Sequence, residues 1–321
     1  MFHQTGIKTA VILALLAGLA AYAALGGYFA RELVIEIATL AILAISLDMV
    51  AGFGGMVSLC HGSIFGLGAY GFAVAATLLG LPPGLALVAG IALGALFGGA
   101  VGAVTSRARG IFFIMATLAF GQMVYVLIFD ARALGGDDGL PGVPRLDLSA
   151  LGVDLQSSLQ FALFAIACLG LVYALAAFVL RSGFGRTLCG IHANEARMRA
   201  LGIPVWQYKA NGFALSGAMA GFAGALAAQH TMFVSPEMMV WTVSGEALVI
   251  VILGGMGTLV GPAVGAALLI LLRHEIASLT NHWHMVIGIV LIVTVLAGGR
   301  GLYGQLEHMV QARRERVKAH A

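Results

Sequence analysis

LVIEIATLAILAISLDMVA, residues 33–51, decides the fold. The run carries two charges, Glu36 and Asp48, and is close to the ~20 residues a helix needs to cross a ~30 Å hydrocarbon core. A membrane-crossing β-strand would alternate apolar and polar residues over ~10 positions; this run does not alternate. Similar runs extend on both sides: Thr9 to Ala30, Ser58 to Leu79, Gly84 to Ser106 and Ile111 to Phe129 in one group. A second group runs Ser158 to Leu180, Lys209 to Gln229, a short pair at Val243 to Leu253 and Leu259 to Arg273, and His284 to Ala297. The expectation is an all-α, polytopic integral membrane protein of about ten transmembrane helices, a single transmembrane domain over residues 1–321.

Composition agrees. The chain is 60% apolar and 10% charged, where soluble domains are about 45–50% and 25%. Its 45 glycines suit helices packed in lipid, where small residues let backbones approach for dispersion contacts. Cys60, Cys168 and Cys189 share no metal-ligand spacing and read as small hydrophobes, so neither a disulfide framework nor a metal site is expected. No basic, aromatic-interleaved tract points to nucleic acid.

Arginine and lysine near helix ends concentrate on the cytoplasmic side of a membrane protein. With a cytoplasmic N-terminus, Lys8, Arg107, Arg109, Arg181, Arg186, Arg197, Arg199, Lys209, Arg300, Arg313, Arg314, Arg316 and Lys318 fall inside. Arg31, Arg132, Arg145 and Arg273 fall outside. The aspartate-bearing loop 130–157 then lies on the outer face, while the loop 181–208, the basic tail 300–321 and both termini are cytoplasmic. A rival reading makes the first run a cleaved signal peptide ending near Ala21-Tyr22-Ala23; later orientations survive it.

Two glycine clusters interrupt the apolar runs, Gly52 to Gly62 and Gly254 to Gly261, and both contain Gly-Gly-Met. Non-helical backbone at membrane depth is tolerated only inside protein or along a cavity, and interrupted segments at corresponding places point to a transport site. The bland reading is a pair of ordinary turns. Charges inside a bilayer are expensive, so Glu36, Asp48, His61 and Glu246 stand out; the alternative for Glu36 and Asp48, near the outer and inner ends of their run, is reaching the headgroups, and for His61 and Glu246 a buried interhelical hydrogen bond.

The segment TLCGIHANEARMRALGI, residues 187–203, reads as a short amphipathic helix ended by Gly202 and Pro204, with Ile191, Met198 and Leu201 on one face. Such a helix suits docking into a partner's groove or lying at the headgroups. No G-x-x-x-x-G-K-[ST] loop, H-E-x-x-H pair or G-x-S-x-G elbow occurs. An ATPase would therefore be another chain, and no catalytic residues are expected.

Several stretches then resemble a known family: LDMVAGFGGMVSLCHGSIFGLGAYG from Leu47, RGIFFIMATLAFGQM from Arg109, GGDDGLPGVP from Gly135, and RSGFGRTLCGIHANEARMRALGIPVWQYK from Arg181. The stretch AGFAGALAAQHTMFVSPEMMVWTVSGEALVIVILGGMGTLVGP from Ala220 and GRGLYG at Gly299 continue the resemblance. The chain resembles the LivM-type inner-membrane permeases of branched-chain amino acid ABC transporters. The resemblance implies a second, LivH-like permease, two cytoplasmic ATPases carrying the ATP, a periplasmic binding protein, and no cofactor on this chain. It also makes the membrane a bacterial inner membrane and the outer face periplasmic. It makes residues 189–201 a coupling helix with His192, Asn194, Glu195 and Arg199 facing the ATPase. Met56, Ser58, His61, Thr117, Gln122 and Glu246 are the expected substrate-pathway residues. Met56, Cys60 and Asp48 depart from the family's usual glutamine, glycine and asparagine. They leave the substrate open among branched-chain amino acids, urea and other small acids. The competing class is an ion-coupled secondary transporter relaying through Asp48, His61 and Glu246.

Overall fold

The computed structural model describes residues 6–149 and 152–279, with isolated positions between 285 and 304. Its helices follow the apolar runs: α1 (Gly6–Leu25), α2 (Tyr28–Ala51), α3 (His61–Thr77), α4 (Pro83–Thr105), α5 (Ile111–Phe129) and α6 (Ser158–Arg181). Then come α7 (Gly183–Ala193), α8 (Glu195–Ala200), α9 (Val205–Thr231), α10 (Trp241–Gly254) and α11 (Gly261–Leu279). The protein is mostly helical and polytopic. Among the described residues, α1, α2, α4, α5, α6 and α9 are long and apolar enough to cross a membrane. The run from His284 to Ala297 and the basic tail lie largely outside the described residues.

Four expectations are corrected in detail. α3 begins at His61 rather than Ser58, because the backbone through Cys60 is bonded to side chains instead of to a preceding turn. α11 runs on to Leu279, so Arg273 sits within a helix rather than at its end. The single helix expected over residues 187–203 is two, and Leu201 lies outside the buried face, 70% exposed. The break falls at Asn194, whose extended backbone lets its Oδ1 accept the Arg197 N–H at 2.9 Å; a capping amide satisfies a helix start better than it serves a helix interior. The all-α expectation also gains a two-residue antiparallel ladder, β1 (Leu140–Pro141) with β2 (Phe233–Val234).

α2 is the axis of the fold. In its most apolar stretch 89% of positions are buried, against 22% for α1 and for α5, as expected of a helix apolar all round. α4 packs against α9 and α3 through Gly90, Gly94, Gly98 and Gly102, one per turn and all buried. A Cβ on Gly94 would lie 2.5 Å from the Gly217 carbonyl oxygen, and one on Gly98 2.6 Å from that of Phe213. Those backbones touch directly, which is how helices associate where lipid removes the hydrophobic drive.

Two faces result. At one, the start of α2, the end of α9 and the 130–157 segment meet. There Arg145 donates to the carbonyls of Gln229 (3.1 Å), His230 (3.3 Å) and Leu155 (2.8 Å), and lies over the Phe161 ring. It thus satisfies carbonyls that the end of α9 leaves open. At the other face lie the end of α2, residues 106–110, α7, α8 and the turn 255–260.

Candidate functional site

Both glycine clusters are breaks, and they touch. Residues 52–60 are not helical, and neither is the turn between α10 and α11. The buried Asp48 carboxylate joins them, accepting the Gly257 N–H on Oδ1 at 2.6 Å and the Leu259 N–H on Oδ2 at 3.1 Å. Thr258 closes the turn, donating to the Gly255 carbonyl at 2.7 Å and accepting the Gly261 N–H at 2.9 Å. Gly257 takes a positive φ of 76°, and Leu259 one of 66°, a conformation rare for a branched side chain. Gly52 lies against Gly257 with no room for a side chain.

The rest of the first break is braced by hydroxyls. The Leu59 N–H donates to Thr117 Oγ1 (3.1 Å), Cys60 N–H to Ser58 Oγ (3.2 Å) and Gly62 N–H to Ser244 Oγ (2.7 Å). His61 spans the centre, with Nδ1 3.2 Å from Ser58 Oγ and Nε2 2.8 Å from Ser216 Oγ. Ser216 in turn donates to the Ser46 carbonyl at 2.6 Å. Backbone amides that no helix satisfies are thus bonded within the protein, as an apolar surrounding requires.

This arrangement sorts the expected pathway residues. Met56, Ser58, His61 and Thr117 are buried in the brace. Gln122 is half-buried on α5. Glu246 alone of the six lines the large cavity at the 130–157 face, about 760 Å³ between α2, α9, α10 and α11. There Arg273 bridges Glu246, at 3.0 Å from Nη1, and Glu36, through Nη2. Glu32 meets His230 Nε2 at 2.6 Å beside them. Asp48, His61 and Glu246 each bond to different partners, and no hydrogen bond links one to another. Among the described residues no cluster of three or more His, Cys, Asp or Glu is placed to hold a metal.

At the opposite face, α7 and α8 sit over the first break. The His192 ring lies against Gly55, a glycine with φ of 68° whose missing side chain makes the room. Asn194 is the cap of α8. Glu195 is 14% exposed and gathers three cations: Arg199 at 2.5 Å and Arg109 at 3.2 Å on Oε1, and Lys209 at 3.1 Å on Oε2. Lys209 also donates to the Ser106 carbonyl, at 3.1 Å. One carboxylate therefore ties α8 to α9 and to the segment after α4. Sequence inspection missed Lys209 and Arg109 as its partners; a glutamate in an otherwise cationic loop was the available signal.

Burial alone would push the Glu195 carboxyl up, but the Lys209, Arg109 and Arg199 charges outweigh it and hold the group below its usual value. A depressed carboxyl lends stability above its unfolded value and loses it as pH falls through the folded one. Amide exchange across α8, corrected for intrinsic rate, should thus stay protected from pH 8 down to mildly acidic conditions and open only below the ordinary carboxylate range. Glu195→Gln should open α8 across that whole range; wild-type protection in that variant would remove the carboxylate from this role.

Residues 29–296 match the family described as branched-chain amino acid transport system / permease component. The chain belongs to this permease family. The branched-chain amino acid permease match takes in both breaks, the Glu195 tie and the charged cavity. Curated relatives include the high-affinity branched-chain amino acid transport system permease protein LivM of Escherichia coli, 30% identical over 295 residues, covering 84% of this chain and 69% of that protein. LivH of the same organism is 27% identical over 279 residues, covering 80% and 88%. The ribose import permease protein RbsC of Haemophilus influenzae is 25% identical, covering 80% of each. Proteins similar to this chain are thus named for amino acids and for a sugar.

Proposed function

We propose that this chain is one membrane-spanning permease subunit of an ATP-driven importer for branched-chain amino acids or a closely related small amino acid. About ten helices cross the bacterial inner membrane, both termini are cytoplasmic, and the α7–α8 face is the inner one. A second permease completes the pathway, two cytoplasmic ATPases hold the ATP, and a periplasmic binding protein delivers cargo to the 130–157 face. The chain itself performs no bond chemistry.

The observation that carries this reading, beyond family membership, is the seating of α7 and α8 on the first helix break. The His192 ring covers Gly55, and Glu195 fastens the unit to α9. A motor that moves this unit moves the break beneath it. Binding can shift such a two-state arrangement only through unequal affinity for the states, so ATP must favour the conformation in which α7 and α8 are displaced. The ion-coupled alternative has less support, because its three relay groups have separate partners.

Deleting residues 189–201 should abolish co-purification of the ATPases while leaving membrane insertion intact; an unchanged pull-down refutes the docking role. In proteoliposomes holding both permeases and both ATPases, leucine uptake should require internal ATP and external binding protein. Uptake driven by a proton gradient without ATP would decide for ion coupling.

A further inference from the structure

At the α7–α8 face, the link between α4 and α5 and the start of α9 frame a cleft of about 620 Å³, lined by Ser106, Arg107, Arg109, Arg199, Pro204 and Trp206 among others. It is built from the ends of spanning helices: α4 closes at Thr105, α5 opens at Ile111 and α9 opens at Val205, and all three are long and apolar enough to cross a membrane. A cleft between such ends lies at the depth of the lipid headgroups. Tryptophan is favoured at that depth, and Trp206 stands 56% exposed in the wall. Val104, Ile111 and Phe112, just before and just after the arginine-bearing link, are exposed as well.

The cleft carries a surplus of positive charge. Three guanidiniums line it and no carboxylate does. Glu195, outside the lining, is shared by Arg109, Arg199 and Lys209, and its single negative charge balances one of those three. Arg109 and Arg199 meet the same Oε1 through Nη2 alone, and their side chains are 63% and 53% exposed. A guanidinium has five N–H donors, so each keeps donors for another acceptor. Arg107 is exposed and has neither a hydrogen bond nor an ion pair among the described residues. The start of α9 adds to the surplus: no side chain caps it at Pro204, and the positive end of a 27-residue helix opens beside the arginines.

We propose that this cleft holds the phosphate headgroup of an anionic phospholipid. Arg107, Arg109 and Arg199 bond to the phosphate oxygens, which their planar forks fit, and the acyl chains run along the exposed apolar residues of α4 and α5. A soluble phosphate would answer the cations and leave that apolar flank unused; a lipid answers both. Basic pockets at the cytoplasmic ends of spanning helices suit such headgroups. The proposal rests on the reading of this face as the inner one and adds a ligand to it. Two of the three arginines also hold Glu195, so the lipid is joined to the seat of α8.

The test uses the assembled transporter in nanodiscs of equal parts phosphatidylglycerol and phosphatidylcholine, with a trace of one lipid or the other carrying a photoreactive diazirine. The phosphatidylglycerol probe should crosslink the tryptic peptide 200–209 several-fold more than the phosphatidylcholine probe does. Arg107→Gln, which disturbs no bond within the chain, should lower that preference about fivefold, the effect of one basic residue near a lipid surface. Arg186→Gln, an exposed cation of the same face outside the cleft, should leave it unchanged. Equal crosslinking by the two probes, no effect of Arg107→Gln, or an equal effect of Arg186→Gln overturns the site. Loss of the preference on adding inorganic phosphate would make it a site for soluble anions, and a preference seen only after the ATPases are stripped away would give the cleft to the motor; either result also overturns the lipid. Labelling of Ala196→Cys by an impermeant maleimide in spheroplasts judges the inner-face reading separately. A thiol reached only after lysis, with no lipid preference, sinks the site alone, and a thiol reached from outside removes the inner face and the inner-leaflet lipid together.

Discussion

Replacing Gly94 with valine should leave the purified protein unable to hold α4 against α9, with little folded material recovered from the membrane. The added Cβ would stand 2.5 Å from the Gly217 carbonyl oxygen and 2.9 Å from the Gly221 Cα. Both neighbours are backbone, so no rotamer change relieves the overlap and the helices must separate. Forced overpacking in a tight interior costs about 1–3 kcal/mol even where side chains can adjust. Separation also forfeits the dispersion contacts that hold helices together in lipid. Alanine at the same position should lower the melting temperature in detergent by on the order of 5 °C, since ~1 kcal/mol moves a large domain by about 2–4 °C. Gly170 is the control: a Cβ there meets only the Leu16 Cδ1, at 3.4 Å. Gly170→Ala should melt as the wild type does, and a Gly94→Val protein equally stable would show that the α4–α9 contact does not depend on bare backbone.

Asp48→Ala should be of similar severity for a different reason. It leaves the buried Leu259 N–H and the half-buried Gly257 N–H without their acceptor. A buried donor stripped of its partner costs about 1–3 kcal/mol, so the pair is worth on the order of 2–6 kcal/mol, against a typical total of about 5–15. The melting temperature should fall by on the order of 10 °C. Asp48→Asn is the graded case: its amide oxygen still accepts one N–H while its NH₂ faces the other, so the loss should be about half. The same variants should loosen the turn after α10, read as faster amide exchange at Gly257 and Leu259. If Asp48→Ala and Asp48→Asn melt together at the wild-type temperature, the clamp does not hold the two breaks.

The helices were legible because lipid imposes a one-dimensional rule on sequence, and α5 runs over the very residues, Ile111 to Phe129, that its apolar run marks. The places of the glycine clusters were legible too, but not whether they were ordinary turns or breaks inside the protein, because that depends on the partners their backbone finds. Their meeting was not legible, because Asp48 and Gly257 are 209 residues apart and neither announces the other. Glu36 and Glu246 stand out in the sequence as intramembrane charges, yet Arg273 reads as the end of an apolar run. Pairing opposite charges on the same side of the membrane would have linked all three. Asn194 resembled a continuation of its helix, because capping is decided by backbone angles that composition does not report.

The long reach of α2's bonds bears on how the polypeptide is made. Asp48 waits for amides 209 and 211 residues downstream, and Glu36 waits for a guanidinium 237 residues downstream. During synthesis, α2 therefore emerges with carboxylates whose partners are translated much later. A naked carboxylate is unwelcome in hydrocarbon, so this segment must stay sheltered in the insertion machinery, or beside water, until α10 and α11 arrive. Ribosomes halted before Gly257 is incorporated should hold nascent chains whose α2 still crosslinks to the insertion channel, whereas chains halted after Leu279 should have released it.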